Sequence, residues 1–254
     1  MKYFFILIVL FSCEIFTSCS TPIRLVKLKP KPKDVYTNSN LKIFLKNNPE
    51  ANVVLRIPNA SENVTTKTTS DQMISAVSQN ATMDIYYNAI EKEFLKAGFS
   101  VRDRGLFNEV LKKMSRDNNG NINYSQIKDL TNTELIIEVI KINPSVEYVT
   151  NQTYTINKRG AEIYNTSNKE YKKYGASAEF KIILVKNNEM AGTYTFSYTP
   201  CTDGCPVSAF NQFKKPLIKF STGNTITPYE GVEKNIMEDF IRRCAQDLIT
   251  AMKN

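Results

Sequence analysis

Cysteine and the absence of histidine define the chemistry that this chain could perform. The 254 residues include five cysteines but no histidine and no tryptophan. Ser-His-Asp and Cys-His catalysis and the His-containing zinc sites all need an imidazole. The sequence also contains no glycine-rich phosphate loop and no nucleophile elbow. We therefore expect no enzymatic activity and no cofactor, with a carboxylate-only hydrolase assembled from distant residues as the alternative.

Two of the cysteines are close neighbours. Cys201 and Cys205 flank the turn Thr202-Asp203-Gly204 and lie between two prolines. In an exported chain without histidine, such a pair is expected to form a disulfide. A reactive redox pair is the alternative, although no adjoining basic residue would lower a thiol pKa. Cys244 lies on the apolar side of the last predicted helix, where we expect it to be buried.

A polar segment, residues 115–126, has the spacing of a calcium-binding EF-hand loop. Gly120 falls at the sixth position, where that loop turns sharply. Ser115 and Gln126 occupy the positions where binding needs an aspartate and a bidentate glutamate. The segment therefore predicts a loop between helices and no metal site.

The N-terminus has the pattern of an export signal. Lys2 precedes an apolar run that ends at Phe11, which is too short to span a bilayer, and small residues follow. The segment Phe16-Thr17-Ser18-Cys19 resembles a bacterial lipobox, which implies cleavage before Cys19 and a diacylglycerol on its thiol. Cys13 is a competing site, but cleavage there would leave a very short apolar run. We predict a signal peptide over residues 1–18 and lipidation at Cys19, with a plain secretory signal as the alternative.

The positive charge is concentrated after this signal. The chain has 33 Lys and Arg against 25 Asp and Glu, and residues 21–33 hold five of the basic residues, three prolines and no acid. This composition predicts a semi-rigid spacer that is attracted to anionic head groups. We predict a lipid-anchored tether over residues 19–50 and one domain over residues 51–254. No recognition motif accompanies the charge, so we expect no nucleic-acid partner.

Hydrophobic periodicity predicts a β-α-β-α-β start to this domain. Residues 60–80, rich in Ser, Thr and Asn, are expected to form a polar loop. The predicted elements are strands at 51–57, 99–102 and 134–140 (stopped by Pro144) and helices at 83–97, 106–114 and 124–130.

The pattern then changes to the period of two that is typical of strands. Apolar residues alternate over 146–156 and 178–198, and Lys186 to Glu189 is a plausible hairpin turn. Thr227 and Pro228 are predicted to begin a final helix, whose apolar stripe extends from Val232 to Met252. The expected fold class is α/β, a single αβ sandwich with antiparallel strands and a C-terminal helix packed on the sheet.

The segment Phe99 to Leu111 connects a strand directly to a helix through Arg102, Asp103 and Arg104. It resembles the CsgG-type lipoproteins of the curli secretion channel and the LpoB-like domains that activate penicillin-binding proteins. Residues 130–139 resemble the third strand of that family, although Asn132-Thr133-Glu134 and Glu138 depart from its pattern. The resemblance implies an α/β fold and a protein partner that could contact Arg102, Asp103 and Arg104. A purely structural corner is the alternative.

Together these features predict a lipid-anchored envelope lipoprotein that binds or scaffolds another protein without catalysis. We expect it at the outer membrane and facing the periplasm, because no acidic residue follows Cys19 closely. The alternative is a subunit of an oligomeric CsgG-type export channel, which would insert hairpins at 145–157 and 176–199 into the membrane. Glu179 and Lys181 oppose that alternative, and a homo-oligomer stays open.

Overall fold

The computed structural model describes most of the chain. The described ranges are residues 23–56, 70–113, 124, 127–211, 218–219, 225–226 and 231–254, with side chains in the long helix described from residue 83 onward. The predicted signal peptide, Cys13, Cys19 and Ser115 to Asn123 lie outside them, as do Gln126 and Thr227 to Glu230.

Six helices and ten strands make up the described residues. The helices are α1 (Ser39–Asn47), α2 (Ser70–Lys96), α3 (Arg104–Lys113), α4 (Ile127–Thr131), α5 (Ser208–Asn211) and α6 (Lys234–Lys253). The strands are β1 (Leu25–Val26), β2 (Asp34–Thr37), β3 (Asn52–Arg56), β4 (Ser100–Val101), β5 (Leu135–Ile156), β6 (Glu162–Leu184), β7 (Glu189–Tyr198), β8 (Cys205–Pro206), β9 (Ile218–Lys219) and β10 (Thr225–Ile226).

Eight of the strands form one sheet, in which β5 and β6 are the longest pair. The order is β2-β7-β6-β5-β1-β8, and β3 runs parallel to the first residues of β5 and to β4. Strands β9 and β10 form a separate antiparallel pair. The chain is thus an α/β sandwich with a β-α-β-α-β start, antiparallel strands and a C-terminal helix on the sheet.

The main core lies between one face of the sheet and three helices. Alternate residues of β6, among them Phe180, Ile182 and Leu184, point toward α1, α2 and α6. The buried stripe of α6 follows the predicted period: Met237, Phe240, Ile241, Cys244, Ala245, Leu248, Ile249 and Met252. This burial of apolar area, about 25 cal/mol per Å², is the main force that holds the last helix on the sheet.

Two smaller clusters cover the rest of the sheet. Phe107 and Ile127, from α3 and α4, pack with Val54, Ile136 and Ile183. These strand residues alternate with those of the main core, so this cluster lies on the opposite face. A third cluster consists of Val26, Leu28, Tyr148, Tyr171 and Phe210 and lies farther along β5 and β6.

The prediction that Pro144 ends a strand is wrong. β5 continues through it to Ile156, with an irregularity in its pairing between Asn143 and Val146. A proline is tolerated at such a bulge because no ladder donor is needed there. Its carbonyl also accepts a hydrogen bond from Val232 N at 2.8 Å.

Two helix starts also differ from the predictions. α2 begins at Ser70, inside the segment 60–80 that was expected to be a loop. α6 begins at Lys234, after Glu233, and no side chain caps it. Residues 231–233 are not helical, and the predicted start at Thr227 and Pro228 lies outside the described residues.

The described part of the predicted tether packs against the domain. β1 pairs with β5 and β8, and β2 pairs with β7. Lys33 Nζ lies 2.5 Å from Asp247 Oδ2 on α6, and Leu28 N donates to Cys201 O at 3.2 Å. This differs from the expectation of a separate spacer up to residue 50, because backbone pairing with distant strands orders the segment.

Candidate functional site

The predicted contact residues lie where β4 ends and α3 begins. Asp103 Oδ1 accepts a hydrogen bond from Leu106 N at 2.7 Å, which satisfies a free donor at the helix start. Arg102 Nη2 donates to Asn52 Oδ1 at 2.6 Å and ties the junction to β3. The two residues therefore have structural roles at this corner.

Arg104 turns from the junction toward α2. Its Nη2 lies 3.6 Å from Asp84 Oδ1, and its guanidinium lies 5.1 Å from the centroid of the Tyr87 ring. Burial raises the pKa of Tyr87. The ring stays neutral near pH 7 and presents its face to the cation.

A surface hollow of about 490 Å³ opens between α2 and this junction. Its lining residues are Asn88, Glu91, Leu95, Val101, Arg102, Asp103, Arg104 and Gly105. Burial raises the pKa of Glu91, and the side chain of Leu95 is 57% exposed. Arg102 Nε and Arg104 Nη1 are buried and have no hydrogen-bond partner among the described atoms. The hollow combines donors, a carboxyl group and apolar surface, which suits a peptide segment better than a metal or a small anion.

The far half of the β5–β6 hairpin forms a second notable surface. Asn157 Oδ1 accepts from the amides of Arg159 and Ala161, both at 2.9 Å, and Gly160 adopts a positive φ of 79°. These features fix a tight turn. We call residues 154–164 the hairpin tip.

Positive charge surrounds this half of the hairpin. Residues 23–31 and 147–173, which we call the basic end, contain nine Lys and Arg against three Glu, a net charge of +6 in a chain of +8. Lys27 Nζ lies 3.2 Å from Glu162 Oε1, and Lys172 Nζ lies 2.5 Å from Glu147 Oε2. Most of the basic side chains are therefore left without a carboxylate neighbour in their own segment.

The disulfide loop holds the chain start against the hairpin. The structure joins Cys201 and Cys205 in a disulfide, and β8 pairs with β1. Tyr154 donates to Asp203 O at 3.3 Å. A Cβ on Gly204 would lie 1.9 Å from the Tyr154 oxygen, so only glycine fits there.

Cys244, the free cysteine among the described residues, is part of the core. Cys244 is buried on α6, and burial raises its pKa, which makes the thiol unreactive. Within the described residues, no three His, Cys, Asp or Glu side chains are placed to hold a metal ion. None of the described helices is long and apolar enough to cross a membrane.

Sequence reasoning missed a buried polar cluster on the α3–α4 side of the sheet. Arg56 Nη1 donates to Glu138 Oε1 and to the Tyr124 oxygen, and Lys181 Nζ lies 3.7 Å from Glu138 Oε2. Burial, then the charge of Glu138, raises the pKa of Tyr124 to about 12. The signal in the sequence was a single glutamate inside the apolar run Leu135 to Val139.

Comparisons with known proteins find similarity to solved structures. No family model and no curated protein matches this chain. The PelC dodecamer from Paraburkholderia phytofirmans is similar over 87% of this chain and 98% of that chain, with 9% identity and a TM-score of 0.30. A similarity at this TM-score supports no inference about fold or function. The CsgG and LpoB resemblance stays a prediction.

Proposed function

We propose that this protein is a lipid-anchored component of the cell envelope whose domain binds another envelope protein and performs no catalysis. The observation that carries the proposal is the position of the chain start. Ile23, the first described residue, lies four residues after Cys19, which is at most about 14 Å of extended chain. A lipid on Cys19 would therefore hold the basic end of the domain close to the membrane, at the outer membrane and on its periplasmic side.

The anchor is tested by the variant Cys19→Ser. We expect the wild-type chain to remain in the membrane fraction at high salt and to incorporate labelled fatty acid. The variant should lose the label, and Cys13→Ser should keep it. A Cys19→Ser chain that still carries the label would overturn the assignment of the lipid to Cys19.

The hollow at the junction is the proposed partner site. It lies beside the start of β5, whereas the chain start lies at the far end of that strand. Leu95 offers exposed apolar surface, and the two arginines offer donors. An anchored domain would thus present this site away from the membrane, toward a partner in the periplasm.

A matched pair of variants tests the partner site. Leu95→Lys places a charge at the hollow, and Leu130→Lys places the same charge on α4, where the native leucine is 68% exposed. After cross-linking in the envelope, we expect Leu95→Lys to lose the enriched partner and Leu130→Lys to retain it. Equal recovery from both variants would contradict this site.

The export-channel alternative gains no support from the hairpin. The exposed residues of its far half include Gln152, Lys158, Asn165 and Lys169. These side chains fall on both faces of the strand pair, where a membrane-spanning hairpin needs one apolar face. The hairpin tip suits a membrane surface better than a membrane interior.

A further inference from the structure

The hairpin tip exposes apolar side chains that the fold does not use. Ile156 and Ile163 are 53% and 48% exposed, and Tyr164 is exposed beside them. The Tyr164 ring lies 5.6 Å from the buried ring of Tyr154, and its hydroxyl donates to Glu162. Ile156 and Tyr164 lie on one face of the hairpin and form a small apolar patch, whereas Ile163, which lies opposite Thr155, belongs to the other face.

Cationic side chains adjoin this patch. Lys158 and Arg159 occupy the turn itself and are exposed. Arg24 directly precedes the neighbouring β1, and the only acid within the tip, Glu162, already pairs with Lys27. Apolar residues flanked by Lys and Arg are typical of proteins that bind anionic lipid surfaces.

The chain start enters at the same place. Leu25 lies opposite Tyr154 in an antiparallel pairing, so the residues before Leu25 run toward Ile156. Ile23, itself exposed, therefore extends the apolar patch. Any anchor on the preceding residues reaches the membrane from the side of the molecule that carries the tip.

We propose that the hairpin tip is a second membrane contact, which binds the surface of an anionic bilayer end-on, through Ile156 and Ile163 on its two faces and Lys158 and Arg159 in its turn. This inference rests on the proposed function only for the lipid at Cys19, because the tip has its own charge and apolar surface. The contact would fix the orientation of the domain, which a single flexible lipid cannot do.

The absence of tryptophan from the chain makes the contact measurable. The full-length lipidated chain carrying Ile156→Trp has one tryptophan, and it can be reconstituted in vesicles that contain brominated lipids. Leu130→Trp, on α4 at the opposite end of β5, is the matched control. Ile163→Trp is a second reporter on the neighbouring strand, in case the first variant folds poorly.

We expect quenching of the Ile156→Trp emission in phosphatidylglycerol vesicles to exceed that in phosphatidylcholine vesicles by about threefold or more. Leu130→Trp should stay unquenched in both. Adding Lys158→Gln and Arg159→Gln to the Ile156→Trp chain should make the quenching equal in the two kinds of vesicle. High salt should do the same, because it screens exposed charges.

Three results would overturn the proposal. The first is an unquenched tip in anionic vesicles. The second is equal quenching in neutral and anionic vesicles. The third is a blue shift that appears without vesicles and grows with protein concentration, which would place a second copy on the tip. Failure of the proposed lipid anchor is recognised separately, because the chain would then leave the vesicles at high salt while the tip is still quenched at low salt.

Discussion

Glu138 shows how a single charged residue can be buried at low cost. Its side chain is 5% exposed, yet Arg56, Tyr124 and Lys181 all contact its carboxylate. Removal of a buried carboxylate from water is expensive, and only direct partners offset that cost. The departure of Glu138 from the apolar pattern is therefore matched by residues from β3, β6 and the segment before α4.

We expect Glu138→Ala to lower the free energy of unfolding by about 3 kcal/mol, because it leaves the largely buried Arg56 without its partner. Glu147→Ala is the control, since its ion pair with Lys172 is exposed on both sides. The control should leave the stability nearly unchanged. Urea unfolding monitored by circular dichroism measures both, and equal effects would contradict the proposed role of burial.

Between elements, Glu93 links the two long helices of the main core. The Lys96 ammonium donates to Oε1 at 2.5 Å, and Gln246 of α6 donates to Oε2 at 2.9 Å. These hydrogen bonds, first that from Lys96 and then that from Gln246, lower the pKa of Glu93 below its usual value of 4.5. The ionised form is thus the one that holds α2 against α6.

This lowered pKa predicts a pH dependence. The stabilisation from Glu93 is complete above pH 4.5, where the unfolded carboxyl is also ionised, and is lost as the pH falls through the lower folded pKa. We expect Glu93→Gln to be less stable than the wild type at pH 7 by about 1 kcal/mol. Thermal unfolding from pH 7 to about pH 3 should show this difference shrinking. A constant difference would contradict it.

We expect the disulfide loop to stabilise mainly the basic end of the domain. Closing so short a loop contributes about 2 kcal/mol in the chain-entropy view. We expect Cys201→Ser with Cys205→Ser to speed amide exchange in β1 and β8. Amide exchange in α6, which packs elsewhere, should rise less. Exchange that rises equally in α6 would show that the loop supports the whole fold.

The hydrophobic periodicity of the sequence predicted the elements whose buried face follows a regular local pattern. The alternation over β6 and β7 and the stripe of α6 were read correctly, since each buries one face against the main core. The helix predicted to end at residue 97 ends at Lys96, and Gly98 follows with a φ of 89°. The sequences of β1 and β2 have no local pattern that predicts a strand, because their pairing depends on strands more than a hundred residues away. The hollow beside Arg104 was likewise unpredictable, since three of its eight lining residues come from α2.

At the scale of the whole molecule, the net positive charge and the proposed partner site lie at opposite ends of β5. The basic end carries most of the net charge, and the hollow lies near the start of β5. An orientation with the tip toward the membrane follows from the proposed anchor.

Digestion with trypsin tests on which side of the outer membrane the domain lies. Lys158 and Arg159 are exposed in the turn, so they are accessible cleavage sites. We expect intact cells to protect the turn and detergent-solubilised cells to allow cutting, because detergent also removes the membrane contact of the tip. A chain with Lys158→Gln and Arg159→Gln identifies the fragment. Cleavage in intact cells would instead show surface exposure.

The pairing of the first strand with one of the last constrains the order of folding. Synthesis begins at the N-terminus, but β1 needs β8 and β2 needs β7. The β5–β6 hairpin closes through a short local turn, and such contacts form early, whereas distant pairings cost more loop entropy and form late. Residues 23–37 are therefore among the first to be made and the last to find their strands. In a nascent chain that ends before Cys205, the N-terminal segment therefore still lacks β8 as a partner.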